Sequence, residues 1–134
     1  MNLSEKEKDR IFRKARKIEG LDADEWRMDA CNAIIHRSSF GRDDEFFGWE
    51  VDHIVPKSLL EENGVPQDLI DDFQNLRPLN WRNNVSKGND YPSYKVEIQS
   101  EDGGESNVIR SRRRTVNQVK QKELRELYAK YLKL

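Results

Sequence analysis

Residues 49–88 read WEVDHIVPKSLLEENGVPQDLIDDFQNLRPLNWRNNVSKG, and the fold is decided there. Phe47 to Val55 alternates so that Trp49, Val51, His53 and Val55 share one face, the period of a half-buried strand, and Pro56 ends it. Lys57 to Gln74 is a long polar stretch with turn signals at Asn63-Gly64 and Val65-Pro66 and apolar anchors at Leu69 and Ile70. Its acidic part, Glu61 to Asp72, reads as a solvated loop. Asn75 to Leu79 predicts a second short strand, which Pro78 confines to an edge or a bend. Asn80 is placed to cap a helix through Trp81 to Lys87, with Gly88 as its stop. The order is strand, long loop, strand, helix.

Upstream, Ser4 can cap a helix whose Ile11, Phe12, Ala15 and Ile18 fall on one face and which Gly20 stops. Asp22 or Asp24 then caps a second short helix to Asn32, and Ala33-Ile34-Ile35 makes a short strand. Downstream of Tyr91-Pro92, Tyr94 to Gln99 and Asn107 to Arg112 predict two strands joined through residues 100–106 as a hairpin. A last helix starts near Thr115, with Val116, Val119, Leu124, Leu127, Tyr128, Tyr131 and Leu132 as its apolar stripe. The expected class is α+β, one domain over residues 1–134. Within it, 1–45 is the N-terminal helical part, 46–90 the strand–strand–helix unit and 91–134 a basic hairpin and helix.

The chain of 134 residues is 35% hydrophobic and 37% charged, so its core is thin and its surface dense in charge. No window approaches the ~18 apolar residues of a membrane span. The opening MNLSEKEKDR is too charged for a secretory signal, which makes a cytoplasmic protein the expectation. Cys31 stands alone, excluding an intramolecular disulfide and a zinc site on paired cysteines. A net charge of −1 conceals an asymmetry: residues 51–74 carry −5 and residues 75–134 carry +6. Local field governs phosphate binding, so Arg110-Ser111-Arg112-Arg113-Arg114 and the last helix are candidates for backbone phosphates, against the plainer reading of a solvated charged face.

Asp52 and His53 are neighbours, Asn75 stands in Asn-Leu-x-x-Leu, and Asn84 stands in Asn-x-x-Lys. Singly, each has a structural explanation: an imidazole tucked into a sheet, an asparagine satisfying its own loop. In combination they describe a site. A strand-borne carboxylate and a helix-borne amide oxygen can meet where strand packs on helix, and together offer two hard ligands to one cation. Oxygen without sulfur favours Mg²⁺, with Mn²⁺ as the other candidate. Adjacent strand residues face opposite sides, so Asp52 goes to the metal and His53 to a water beside it. Imidazole serves as a general base near neutral pH when its other nitrogen is held by a carbonyl oxygen, from an amide such as Asn75 or from backbone.

The segment resembles the HNH endonucleases, whose ββα-metal (His-Me finger) motif is a strand, a loop, a strand and a helix around one divalent cation. The family's Trp-Glu-x-Asp-His-Ile, Asn-Leu-x-x-Leu and Asn-x-x-Lys-Gly elements stand here at Trp49 to Ile54, Asn75 to Leu79 and Asn84 to Gly88. Asn75 and Asn84 are nine positions apart, as in the HNH domain of RNA-guided nucleases. A looser likeness runs upstream through Arg27, Asp29 and Phe40-Gly41. The resemblance implies a ββα-metal core with N-terminal helices, a C-terminal hairpin and a terminal helix.

The resemblance also implies roles. His53 is the general base, and Asn75 is the residue that orients it and ties the loop to the motif. Asp52 and Asn84 are the metal ligands, with Asn80 and Asn83 close enough for that assignment to slip. Lys87 lies near phosphate or a carboxylate, and Arg82, Arg110, Arg112, Arg113 and Arg114 join it as nucleic-acid contacts. The implied partner is DNA, double-stranded, and the implied reaction is hydrolysis of a phosphodiester to 5′-phosphate and 3′-hydroxyl ends, one strand per site. Many family members carry His in place of Asn84 or Gly88 and flanking Cys pairs for a structural zinc. This chain has neither, which favours Mg²⁺ and leaves no structural zinc. The alternative is a catalytically inactive nucleic-acid-binding or protein-interaction module on the same fold. Monomer and homodimer both stay open.

Overall fold

The computed structural model describes residues 1–101 and 106–132. Helix α1, Glu5–Phe12, opens with a capping box in which Ser4 Oγ accepts the Glu7 N–H and the Glu7 carboxylate accepts the Ser4 N–H. It ends well before Gly20. The chain turns there to lay Arg16–Lys17 (β1) beside Trp26–Met28 (β2), which pairs in turn with Ile34–His36 (β3) in an antiparallel sheet. The helix expected over residues 22–32 does not form. Asp22 closes a turn instead, its side chain accepting the Asp24 N–H and its carbonyl the Glu25 and Trp26 N–H groups. Cross-strand pairing of Trp26–Met28 then overrides a weak local helix signal. The N-terminal part thus holds one α-helix rather than two among the described residues.

Trp49–His53 (β4) pairs antiparallel with Leu76–Asn80 (β5), setting Trp49 opposite Asn80, Asp52 opposite Arg77 and His53 opposite Leu76. The connection between them is not a plain loop. Lys57–Glu62 (α2), Gln67–Ile70 (α3) and a 3₁₀ turn at Phe73–Asn75 fold it back, with Leu60, Val65 and Ile70 in the core. Helix α4, Trp81–Lys87, follows β5 directly. Asn80 Oδ1 caps it by accepting the Arg82 N–H, and Gly88 ends it at φ +53°.

Ser93–Ser100 (β6) and Asn107–Thr115 (β7) form a second two-stranded ribbon; residues 102–105 of the expected hairpin tip lie outside the described residues. Helix α5, Gln118–Leu127, begins at an Asn117 cap. Of its expected stripe, Val116, Leu124, Tyr128 and Leu132 are buried, whereas Val119 in the first turn is exposed. The architecture is α+β, with small antiparallel sheets.

The β4–β5 ladder is clamped from both sides. Ile11 and Phe12 of α1 pack on Trp49 and Leu76. Ile54, Val55 and Leu79 join Tyr94 and Val96 of β6 and Leu124 and Tyr128 of α5. Asp29, fully buried, accepts the N–H groups of Cys31, Ala33 and Asn80 and the Asn83 amide, so one carboxylate staples the β2–β3 turn to the start of α4. Burial pushes its pKa up, and the four donors oppose that.

Candidate active site

Strand β4 sends Glu50 and Asp52 toward α4, and Val51 and His53 to the other side. Asp52 is 4% exposed: its Oδ2 accepts from Arg77 Nε at 2.8 Å, across the ladder, and its Oδ1 lies 3.2 Å from Lys87 Nζ. Lys87 is itself 1% exposed and also donates to the His53 carbonyl at 3.2 Å. Burial pulls the Lys87 ammonium below the ordinary lysine range, and Asp52 opposes that pull. Of the two surroundings expected for Lys87, it takes the carboxylate. In this structure its ammonium is enclosed between the Asp52 carboxylate and the His53 carbonyl.

Asn84 lies one turn before Lys87 on α4, half-buried, and donates from Nδ2 to Glu50 Oε1 at 3.2 Å. The neighbouring asparagines are spoken for by the fold. Asn80 Nδ2 donates to the Phe46 carbonyl at 2.8 Å. Asn83 Nδ2 donates to the Ile98 carbonyl while its Oδ1 accepts the Glu97 and Ile98 N–H groups. Both are fully buried. Asn84 is therefore the amide of α4 that faces β4.

On the other side, His53 Nε2 sits 2.8 Å from Asp71 Oδ1, just past α3, and Asp71 Oδ2 accepts from Gln67 Nε2 at 2.8 Å. Partial burial raises the Asp71 carboxyl, but the hydrogen bonds from His53 and Gln67 outweigh it and hold Asp71 below the usual carboxylate range. A carboxylate at Nε2 assigns the ring proton to that nitrogen and leaves the Nδ1 lone pair free to act. Asn75 does not touch the ring. Its Oδ1 accepts the Val55 N–H at 2.8 Å, and its Nδ2 donates to the Val55 carbonyl at 3.1 Å and the Ile70 carbonyl at 3.4 Å. It pins the exit of β4 to α3, and so positions His53 through the backbone.

The basic residues stand apart from this centre. Arg82 lies over the Trp81 and Phe46 rings. Arg110, Arg112 and Arg113 are exposed on β7; Arg110 pairs with Glu101, and Arg112 donates to Gln99 Oε1 at 3.0 Å. Arg114, at the end of the same strand, is half-buried.

Among the described residues no three of His, Cys, Asp and Glu gather as a metal-holding group. The oxygens on offer are the carboxylates of Glu50 and Asp52 and the Asn84 amide. A carboxylate has about four acceptor sites, so Asp52 keeps capacity beyond Arg77 and Lys87. Its charge, however, is already offset by those two cations. Glu50 forms no ion pair among the described residues, so it brings the uncompensated negative charge beside Asn84. Oxygen donors without sulfur, where they converge on one ion, suit a hard cation such as Mg²⁺.

Three of these participants were not singled out from sequence. Glu50 had a signal, since period two on a strand places it on the face of Asp52. Arg77 becomes a partner of Asp52 only once the register is known, and Asp71 lay in a stretch that reads as solvated acid.

No family model, curated protein or solved structure matches the chain. Among the described residues no helix is long and apolar enough to cross a membrane.

Proposed function

We propose that the chain is a divalent-cation-dependent DNA endonuclease of the HNH type, with β4, β5 and α4 serving as its ββα-metal core. One observation carries the reading. His53 leaves the end of β4 with Nε2 held by Asp71, while Glu50 on the same strand meets Asn84 of α4. In this reading His53 Nδ1 takes a proton from the water that attacks phosphorus, and Asp71 steadies the imidazolium that forms. Asp52 and Asn84 hold the cation with Glu50 beside them; when bound, it neutralises charge developing on the phosphoryl and leaving oxygens. The P–O3′ bond breaks, the leaving 3′ oxygen takes a proton from solvent water, and the ends are 5′-phosphate and 3′-hydroxyl. Arg82, Arg110, Arg112, Arg113 and Arg114 engage backbone phosphates.

Supercoiled plasmid incubated with the protein and Mg²⁺ or Mn²⁺ is expected to accumulate nicked circles that an EDTA control lacks. Intact plasmid with both ions overturns the proposal. A second reading, an inactive DNA-binding module, is favoured by the closure of Asp52 with two cations. Under it plasmid is retarded on gels and never cut.

Asp52→Ala and Asn84→Ala should each weaken Mg²⁺ binding by about tenfold or more, at least 1.4 kcal/mol by calorimetry. Titrations matching wild type would refute the ligand assignment. Asp71→Asn leaves an amide behind the imidazole and should slow nicking by ~10–100-fold, the usual cost of losing an orienting partner. An unaltered rate in that variant removes Asp71 from the mechanism.

A further inference from the structure

We infer that the chain carries a second site, for a phosphate monoester, in a cavity of about 400 Å³ between the segment after α1, strand β5 and the β7–α5 junction. Five cationic side chains line it: Lys14 and Arg16 from the first segment, Arg77 from β5, Arg114 from the end of β7 and Lys120 from α5. They are scattered in sequence, and the fold collects them. The register sets Arg114 opposite Tyr94, on one face of the ribbon, and the Arg77 guanidinium lies 5.2 Å from the centre of the same Tyr94 ring.

Little on the protein answers that charge. Arg77 gives its Nε to Asp52, but its Nη2 is buried with no hydrogen-bond partner among the described residues. Arg114 forms no ion pair among the described residues. Arg16 donates to neutral atoms, Asn32 Oδ1 and Met28 Sδ, and Lys14 donates to the carbonyls of Phe73 and Leu76. Lys120 has a distant carboxylate, Glu123 at 3.4 Å. Among the described residues the one carboxylate in the lining, Asp29, is taken up by its four internal donors. The Lys14 ammonium is pushed down to about 8, by burial first and then by Lys120 and Arg77. Like charges gathered around one hollow repel each other, and a bound anion relieves them.

The chemistry points to phosphate. Guanidinium groups match its oxygens in planar forks, and ammonium groups add point charge. A monoester carries close to two negative charges, more than a backbone diester, and so suits a concentrated set of cations. The volume lies within the ~300–1,000 Å³ range of small-ligand pockets. Two sources supply this group: a free mononucleotide, or the 5′-phosphate of a DNA end. The site is defined by its own lining and does not rest on the nuclease reading, although Arg77 also holds Asp52 and Arg114 is shared with the proposed backbone contacts.

Calorimetry at fixed ionic strength tests it, with dAMP, deoxyadenosine, and a duplex with and without 5′-phosphates as probes. The expected result is binding that requires the phosphate, and loss of at least tenfold in affinity in the Arg114→Gln/Lys120→Gln double variant. Lys122→Gln, exposed on α5 and outside the cavity, should retain wild-type affinity. Binding of dAMP without any 5′-phosphate effect on the duplex assigns the ligand to the free nucleotide; tighter binding of the phosphorylated duplex assigns it to the DNA end. The inference is overturned if neither probe shows a phosphate requirement up to ~1 mM, or if the double variant binds as wild type. The variant's thermal unfolding checks that it is folded, and the single substitutions replace it if it is not.

Discussion

Alanine in place of His53 is expected to cut metal-dependent nicking of supercoiled plasmid by about 10²–10⁴-fold, the range a positioned general base supplies. The fold should tolerate the change. The side chain is 17% exposed and its ring makes one hydrogen bond, to Asp71, which keeps Gln67 as a second partner. The backbone of residue 53 stays paired with Leu76, and the Lys87 ammonium uses only the His53 carbonyl, which alanine keeps. The circular dichroism spectrum, the Mg²⁺ titration and plasmid retardation on gels should therefore match wild type while cleavage is lost. That combination separates a reacting group from a structural one. Asn75→Ala offers the contrast, since it strips the buried Val55 N–H of its acceptor and should damage stability and activity together. Wild-type cleavage by the His53 variant would move the base elsewhere.

The legible parts of this molecule are those where local chemistry and tertiary packing agree. Alternation from Trp49 to His53, the Asn80 cap and the Gly88 stop each name a local conformation, and β4 and α4 form where those signals lie. Ser4 likewise announces α1, but the helix's length is decided by the docking of Arg16–Lys17 on β2, which no periodicity in the first twenty residues reveals. The same holds for residues 22–32, where capping residues turned out to close a turn leading into a strand.

At the candidate site the pattern repeats. The opposed directions of Asp52 and His53 follow from strand geometry. Which of three nearby asparagines faces β4 follows only from tertiary partners: the β6 backbone at residues 97 and 98 consumes Asn83, and the Phe46 carbonyl takes Asn80. For Lys87 the sequence leaves phosphate and carboxylate both open; it is the register, bringing Arg77 across from Asp52, that makes a buried ion cluster of it. Asp71 carried no local sign at all, since its partner is eighteen residues away on a different element.

That buried cluster leads to the second large effect. Lys87→Met keeps most of the aliphatic length and removes the ammonium, leaving Asp52 with Arg77 as its one cationic neighbour. Breaking a buried pair by removing one partner typically costs about 3–5 kcal/mol, because the remaining charge stays desolvated. Arg77 remains at 2.8 Å, which places the expected loss toward the lower end, near 3 kcal/mol, read from the urea midpoint at unchanged slope. A loss below ~0.5 kcal/mol would mean that the ion cluster does not hold the hairpin to α4. The same substitution should act on the metal in the opposite direction. With one compensating cation gone, Asp52 presents more negative charge to a divalent ion, so Mg²⁺ should bind the variant more tightly than wild type and raise its unfolding temperature by more. Stability and metal affinity then move apart in a single variant. A merely damaged fold would lower both. Unchanged Mg²⁺ affinity alongside the stability loss would show that Asp52 serves the ladder and not the cation.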